Sequence, residues 1–357
     1  MSIDPWYVTH LVCPRDQLCL EERDGQLVCL DGHAYPVVDG IPVMLLDDVP
    51  QTIGIAETSI ASARASRSVQ HDAPITGLYL ETLGLGAAEK DGIRKLAMDG
   101  RCPIDPVVAY AVGATNGNMY KHLIGELKSY PIPELHVPVG RGELLLDIGC
   151  SWGRWSIAAA RKGYAVVGID PSLGAVMAAR RVGESLGLSI RNVVADARFL
   201  PFADGSFDRA FSYSVIQHFS PEDAASAVAE IGRTLKAGGS SMVQFPTVFG
   251  VRCLYQQLRR RFRNPAGFEV RYWTIQALKA LFTEAVGPNS IAVDCFFGIG
   301  LQDADAPFMP IALRALLMLS KACRKLSLVA PPLKYLADSV YVSAVKSDHT
   351  PDARAVD

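Results

Sequence analysis

Residues 144–172 read LLLDIGCSWGRWSIAAARKGYAVVGIDPS, and the fold turns on this stretch. An apolar run over 144–146 ends at Asp147 and is followed by Gly149-Cys150-Ser151-Trp152-Gly153, a tight turn that opens a helix running to about Lys162. Glycine belongs there because the backbone must reverse sharply and admit a ligand closely, which a Cβ would obstruct. A second apolar run, 165–169, ends at Asp170. Together they make one parallel β-α-β unit. Both acids then stand at the carboxyl edge of the sheet, where open α/β folds bind ligands.

The glycine spacing selects the kind of nucleotide. A nicotinamide enzyme also places an acid after the second strand, but its fingerprint is G-x-G-x-x-G, whereas this chain has D-x-G-x-x-x-G with Asp147 before the first glycine. A carboxylate at that position repels a pyrophosphate and does not repel the ammonium of a methionine moiety. The pattern therefore points to S-adenosylmethionine. Downstream, residues 193–196 read as a third strand ending in an acid, and 197–208 read ARFLPFADGSFD. An apolar run over 209–216 gives a fourth strand, 221–235 a helix, Lys236-Ala237-Gly238-Gly239 a turn, and 241–245 a fifth strand.

This succession over 144–246 resembles the class I S-adenosylmethionine-dependent methyltransferases, in particular the small-molecule type that includes quinone-biosynthetic enzymes. Four motifs are in register: the glycine turn, the acid after the second strand, ADARFLPFADGSFD and LKAGGS. The resemblance implies a Rossmann-like α/β sheet and a set of cofactor-binding positions. Asp147 and Gly149 would lie beside the methionine end, with Cys150 and Gly153 in the turn. Asp170, followed by Pro171, would take the ribose hydroxyls. Asp196 and the Ala197 backbone would hold the adenine, and Ser214 and Val215 would border the sulfonium.

The N-terminal residues 11–46 read LVCPRDQLCLEERDGQLVCLDGHAYPVVDGIPVMLL, short strands with turns at Asp24-Gly25, Asp31-Gly32 and Asp39-Gly40. They resemble the zinc ribbon of a small methyltransferase-activating protein and the metal-binding N-terminus of some rRNA guanine methyltransferases. Those patterns begin C-P-x-C and return as C-x-x-C or C-x-x-x-H. Here Asp16 stands where the second cysteine is expected, so a zinc set would be Cys13, Asp16, Cys29 and His33, with carboxylate and imidazole completing it. Cys19 falls outside the pattern, and a ribbon that kept its fold without the metal is the competing expectation.

The expected organisation is a zinc-ribbon-like domain at 1–50, a helical linker or lid at 51–142, a Rossmann-like methyltransferase domain at 143–346 with substrate insertions at 247–272 and 298–338, and a disordered tail at 347–357. In the linker, helical patches are expected at 56–69 and 74–83, and an amphipathic helix is expected to open at Asn116. Tyr120, Lys121 and His122 on that helix become candidates to cover the methionine end of the cofactor or the substrate. The first insertion carries Arg252, Arg259, Arg260, Arg261, Arg263 and Arg271 between apolar residues. It suits an anionic small molecule or lipid, an RNA backbone, or a solvated face. The second insertion is apolar with basic residues and suits a pocket wall, a membrane surface, a partner subunit or simple packing. Residues 291–297 and 339–346 are expected as the closing antiparallel strands.

A length of 357 residues, 49% hydrophobic content and a net charge of −2 suit a globular enzyme without global attraction to nucleic acid. Eight scattered cysteines argue against a secreted disulfide scaffold. The first residues lack a signal-peptide pattern and basic residues interrupt the best apolar run, so no spanning segment and a cytoplasmic location are expected. Methyl transfer from a sulfonium asks the protein mainly for alignment. A base is needed only for a protonated acceptor; His218 is the candidate, with Tyr213 nearby in sequence and Gln217 orienting the acceptor. The expected activity is methyl transfer to a small-molecule or lipid-like acceptor. An rRNA or tRNA base methyltransferase and a noncatalytic cofactor-binding scaffold are the alternatives.

Overall fold

The computed structural model describes residues 3–66, 76–115, 120–298 and 302–347. A short helix, α1 (Pro5–His10), whose first turn is capped by Asp4, leads into a four-stranded antiparallel sheet of β1 (Leu20–Arg23), β2 (Gln26–Cys29), β3 (Ala34–Val38) and β4 (Ile41–Pro42) in sequential order. The β1–β2 and β3–β4 turns have both central residues in the left-handed region, Asp24-Gly25 and Asp39-Gly40, as two-residue hairpins prefer. Three helices follow: α2 (Ile55–Ser66), α3 (Ala87–Asp99) and α4 (Pro106–Thr115).

The remainder builds one mixed sheet. Its elements are β5 (Leu144–Ile148), α5 (Arg154–Arg161), β6 (Ala165–Asp170), α6 (Leu173–Ser185), β7 (Ile190–Val194), β8 (Phe207–Ser212), α7 (Pro221–Thr234), β9 (Leu235–Pro246), α8 (Val251–Arg259), α9 (Ile275–Ala285), β10 (Asn289–Cys295), α10 (Ile311–Val329) and β11 (Ser339–Val345). The strand order is β10-β11-β9-β8-β5-β6-β7, and β11 alone runs antiparallel to its neighbours. This is the Rossmann-like arrangement expected from the glycine unit. Strands β5 and β6 are apolar along most of their length because helices cover both faces.

Several elements depart from the expected boundaries. The third strand stops at Val194, two residues before Asp196, and the fourth stops at Ser212. Tyr213, Val215 and Ile216 pack rather than pair, and Ile216–His218 forms a 3-10 turn. The expected turn at 236–239 is a bulge inside β9, where the pairing with β8 jumps from Phe207↔Leu235 to Arg209↔Ser240. Of the helix expected to open at Asn116, residues 116–119 lie outside the described residues, and the rest is one 3-10 turn at Lys121–Leu123. Gly125, with φ +79°, and the prolines at 131 and 133 prevent its continuation. The expected patches at 56–69 and 74–83 and the tail after Ser347 also extend beyond the described residues.

The ribbon is not free-standing. Beyond β4, Val43 pairs with Val194 and the Met44 amide donates to the Val194 carbonyl (2.7 Å), so the chain lies along the exposed edge of β7. Leu11 bridges Phe202, and the Tyr7 hydroxyl donates to the Asn192 carbonyl (3.0 Å). Leu20, Leu27 and Tyr35 share a continuous core with Val193, Leu200 and Phe202. Covering an edge strand in this way removes a row of unpaired backbone groups from solvent.

Candidate functional site

The acids of the glycine unit converge at the carboxyl ends of β5 and β6. Asp147, the penultimate residue of β5, points toward α5 and is 1% exposed; Ser156 Oγ donates to its Oδ2 (2.6 Å). Burial, with the nearby Asp170 charge, pushes the Asp147 carboxyl up to about 7. Asp170 ends β6, and each of its oxygens accepts a backbone amide: Oδ2 from Ser151 (3.0 Å) and Oδ1 from Ser172 (2.9 Å). Burial raises it to about 6. Since a carboxylate oxygen has two lone pairs, each oxygen keeps one acceptor position after its amide is satisfied. Pro171 is half-buried between this acid and Ser172, which caps α6 by accepting from the Ala175 amide (3.1 Å).

The turn between the two strands holds three left-handed residues in five: Gly149 (φ +76°), Ser151 (φ +48°) and Gly153 (φ +87°). At Gly149 the space matters as well as the angle, because a Cβ there would collide with Val215 Cγ2. The chain leaving β8 thus folds over the glycine turn. Ser214 is itself left-handed (φ +60°), held there by Gln244 Oε1, which accepts from its amide (3.0 Å) and hydroxyl (3.2 Å). Cys150 belongs to the turn through its backbone, while its side chain is buried against Leu173, Met177 and Val194.

Asp196 and Ala197 are buried beyond the end of β7. The Asp196 carboxylate is gripped by Arg198, whose Nη2 approaches Oδ2 at 2.7 Å and whose Nε lies 3.2 and 3.1 Å from the two oxygens. The same guanidinium reaches Asp223 at the start of α7 (2.9 Å) and the Pro50 carbonyl (2.8 Å). It ties ribbon, core and helix together at this corner.

Tyr213 and His218 go separate ways. Strand alternation places Phe211 and Tyr213 on the α5 side, where the Tyr213 ring lies 4.8 Å from that of Trp155 and its hydroxyl donates to Asp294 of β10 (3.3 Å). Burial pushes that hydroxyl well above its ordinary value. His218 instead engages the loop after α8: its Nδ1 pairs with the Phe268 carbonyl (2.8 Å), and its ring stacks on Phe268 with centroids 3.9 Å apart. Nδ1 is therefore the protonated nitrogen, and Nε2 is left as an acceptor 3.2 Å from Gln217 Nε2. Burial, with the Arg271 charge, pushes the imidazole down to about 4. It is neutral near pH 7, a hydrogen-bond acceptor rather than a strong base. Arg271 fixes this corner by donating its amide to the Gln217 carbonyl (2.8 Å) and Nη1 to the His218 carbonyl (2.6 Å).

The segment before β5 closes on the second insertion. Tyr120 is fully buried and donates to Asp305 Oδ1, which also accepts from Arg154 Nη2 (2.7 Å). His122 is exposed and meets the Phe308 carbonyl (3.1 Å) through Nε2. Of the three candidate covering residues, Tyr120 and His122 thus spend their polar atoms on residues 305–308, and Lys121 is exposed. They do so next to the N-terminus of α5, and Arg154 is the first residue of that helix after the glycine turn.

In the ribbon, Cys13, Asp16, Cys29 and His33 come together with one donor atom each, all within 4.8 Å of one another. His33 Nδ1 lies 3.7 Å from Cys13 Sγ, 3.4 Å from Cys29 Sγ and 2.8 Å from Asp16 Oδ2. Zinc bonds of ordinary length put ligand atoms roughly 3.2–3.8 Å apart in a tetrahedron, so the set needs little movement to fit. Cys19 is exposed and stands outside it.

Residues 145–239 match a family model described as a methyltransferase domain. The chain is similar to an uncharacterized methyltransferase of Synechocystis (27% identity, covering 32% of this chain and 52% of that protein) and to the demethylmenaquinone methyltransferase of Thermus thermophilus (34%, 29% and 47%). The chain spans about half or less of the length of the curated relatives it matches. A solved structure of Haemonchus contortus phosphoethanolamine N-methyltransferase 2 with S-adenosyl-L-methionine aligns at 21% identity and TM-score 0.41, covering 59% of this chain and 50% of that one. Residues 145–239 are thus similar to a methyltransferase domain, and the matched residues include Asp147, Asp170 and Asp196.

Ser156, Gln244, Arg198, Asp294 and Asp305 were given no role in the sequence patterns above, yet each holds one of the candidate site residues. Only Arg198 had a local signal, an arginine two residues after a strand-end acid.

Proposed function

We propose that the chain is an S-adenosylmethionine-dependent methyltransferase acting on a small-molecule or lipid-like acceptor. The observation that carries this reading is Asp170, whose two oxygens are aimed by backbone amides and keep one lone pair each beside the glycine turn. That arrangement suits a pair of vicinal ribose hydroxyls. Asp147 lies beneath the turn, where its charge favours a bound ammonium, and Ser214 and Val215 border the place of the sulfonium. The cofactor supplies the activated methyl group. The chain supplies alignment and dryness: the Val215 side chain packs against Gly149, and Gln217, one of whose amide hydrogens occupies the single lone pair of His218 Nε2, keeps its second N–H for orienting a neutral acceptor. Tyr213, paired with Asp294, acts on the opposite side of β8.

The net charge of −2 favours small acceptors, while the matched domain is shared with a demethylmenaquinone methyltransferase and with a tRNA methyltransferase alike. The arginine-rich insertion is what favours an RNA base as the second reading. The deciding experiment transfers radiolabelled methyl from S-adenosylmethionine into extract split into RNA and small-molecule plus lipid fractions. Label in the small-molecule or lipid fraction supports the proposal; label confined to RNA replaces it with the second reading, and cofactor binding without any turnover replaces both with a scaffold.

For the ribbon, we propose one zinc ion held by Cys13, Asp16, Cys29 and His33, where it would cross-link the start of the ribbon to the β2–β3 turn. Two thiolates, one imidazole and one carboxylate are an ordinary zinc donor set, and a closed four-ligand site is structural rather than catalytic. Elemental analysis of protein from zinc-supplemented cells should give one zinc per chain, and Cys29→Ser should lose it. A stoichiometry near zero or near two overturns this assignment.

A further inference from the structure

The two insertions emerge at the same place. The Thr247 amide, just after β9, donates to the Asp338 carbonyl (3.0 Å), just before β11, and Asp338 Oδ1 accepts the Arg252 and Cys253 amides at the start of α8 (2.7 and 2.9 Å). Both insertions therefore rise from the carboxyl edge of the sheet, beside the corner where Arg271 and Phe268 hold Gln217 and His218.

Their helices present apolar faces outward. On α8, Val251, Leu254, Tyr255 and Leu258 recur at helical spacing and are 57, 37, 57 and 56% exposed, whereas Cys253 on the opposite face is buried. Phe262, in the turn that follows, is 61% exposed. On α10, Ile311, Met318 and Val329 share a face and are 83, 64 and 79% exposed, while Leu317, Ser320 and Ser327 point inward. A surface helix ordinarily buries such a stripe, and soluble monomers seldom expose contiguous apolar area of this kind. The charge is one-sided as well. Residues 247–272 hold six arginines and one acid, Glu269, which is paired with Arg263. Helix α10 holds Arg314, Lys321, Arg324 and Lys325 and no acid, although Lys321 is paired with Asp303 of the preceding turn (2.6 Å).

We propose that this apolar and basic rim docks on an anionic lipid bilayer, with α8 and its following turn lying in the headgroup boundary. No helix among the described residues is long and apolar enough to cross a membrane, so the contact is in the plane of the surface. The flanking cations choose the partner. An anionic bilayer satisfies the arginines and the exposed leucines, tyrosine and phenylalanine together. An RNA backbone would leave the apolar stripe wet, and a second copy of the same face would bring arginine against arginine. For acceptor delivery the inference rests on the methyltransferase reading above: a lipid-like acceptor would enter from the bilayer beside Gln217 and His218.

The binding is tested without catalysis, so it can fail independently of that reading. The full-length protein is floated, without cofactor, on vesicles of phosphatidylcholine or of phosphatidylcholine with one third phosphatidylglycerol. Partition onto the anionic vesicles is expected to exceed that onto neutral ones by at least about tenfold and to fall as salt rises. Arg259→Gln with Arg261→Gln should weaken it about 25-fold, at about fivefold per arginine. Leu254→Ser with Leu258→Ser should weaken it at least about tenfold by removing buried apolar area. Both leucines are exposed in the free protein, so S-adenosylmethionine affinity by calorimetry should be unchanged in these variants. Equal partition onto both vesicle types, or insensitivity to the leucine changes, overturns the proposal. So does displacement from anionic vesicles by polyuridylate through the same arginines with no effect of the leucine changes, or a concentration-dependent dimer that the leucine changes abolish.

Discussion

Replacing Asp170 with alanine is expected to abolish tight S-adenosylmethionine binding while leaving the fold in place. Hydrogen bonds to a charged partner contribute about 1.5–3 kcal/mol each, so losing the acceptor for two ribose hydroxyls weakens binding by at least about 100-fold. The fold survives for a physical reason. Burial raises this carboxyl to about 6, so near pH 7 its ionised form is a charge held partly out of water. The folded state binds this proton more tightly than the unfolded chain. The charge therefore contributes less stability as pH rises from the ordinary aspartate value of 3.8 toward 6, and removing it at neutral pH relieves a cost. That relief offsets the two amides, Ser151 and Ser172, that lose their acceptor. Asparagine should not rescue binding, because one oxygen becomes an NH₂ facing a backbone donor. Calorimetric titration beside circular dichroism decides the matter, and wild-type affinity in a folded Asp170→Ala protein would sink the assignment of this residue.

The legible part of the molecule was the part in which one residue's chemistry and its neighbours in sequence settle its place. The β-α-β unit is of this kind: the apolar runs, the glycines and the two acids are all local, and Asp170 emerges where the spacing puts it. The ribbon cluster was legible too, since C-P-x-D and C-x-x-x-H fix two donors each on turns that bring them together. The end of β8 was not. Val215 and Ile216 extend the apolar pattern beyond Ser212, but one packs on Gly149 and the other in the core, and periodicity cannot distinguish a pairing residue from a packing one. Tyr213 and His218 are close in sequence and were paired as candidates for that reason. Alternation sends the first under α5, and the Phe268 loop captures the second. The pairing of Val43 and Met44 along the edge of β7 is likewise not legible, because an apolar stretch does not announce whether it seals its own domain or its neighbour's sheet.

The deepest illegible contact is Arg154 with Asp305, separated by 151 residues. The side chains are 7% and 0% exposed, and Tyr120 donates to the same carboxylate oxygen. Asp305→Ala is expected to destabilise the protein by about 3–5 kcal/mol, the usual consequence of leaving one partner of a buried ion pair uncompensated. Among the described residues Arg154 Nε has no hydrogen-bond partner, so what remains beside the guanidinium is mainly the Tyr120 and Trp155 rings. Most of the loss should return in the double variant Asp305→Ala with Arg154→Met, because an apolar pair replaces a buried charge pair at little cost whereas half a pair does not. Urea unfolding of the wild type and both variants measures this directly, and an Asp305→Ala change of under 1 kcal/mol would mean that solvent reaches the pair. The position of the pair gives the prediction its functional edge. Arg154 opens the helix that leaves the glycine turn, so the single variant should also lose cofactor affinity, as the turn is then held from the sheet side alone. The double variant should recover stability before it recovers binding, since methionine restores packing at the helix start but cannot fix Tyr120 and residues 303–308 over it.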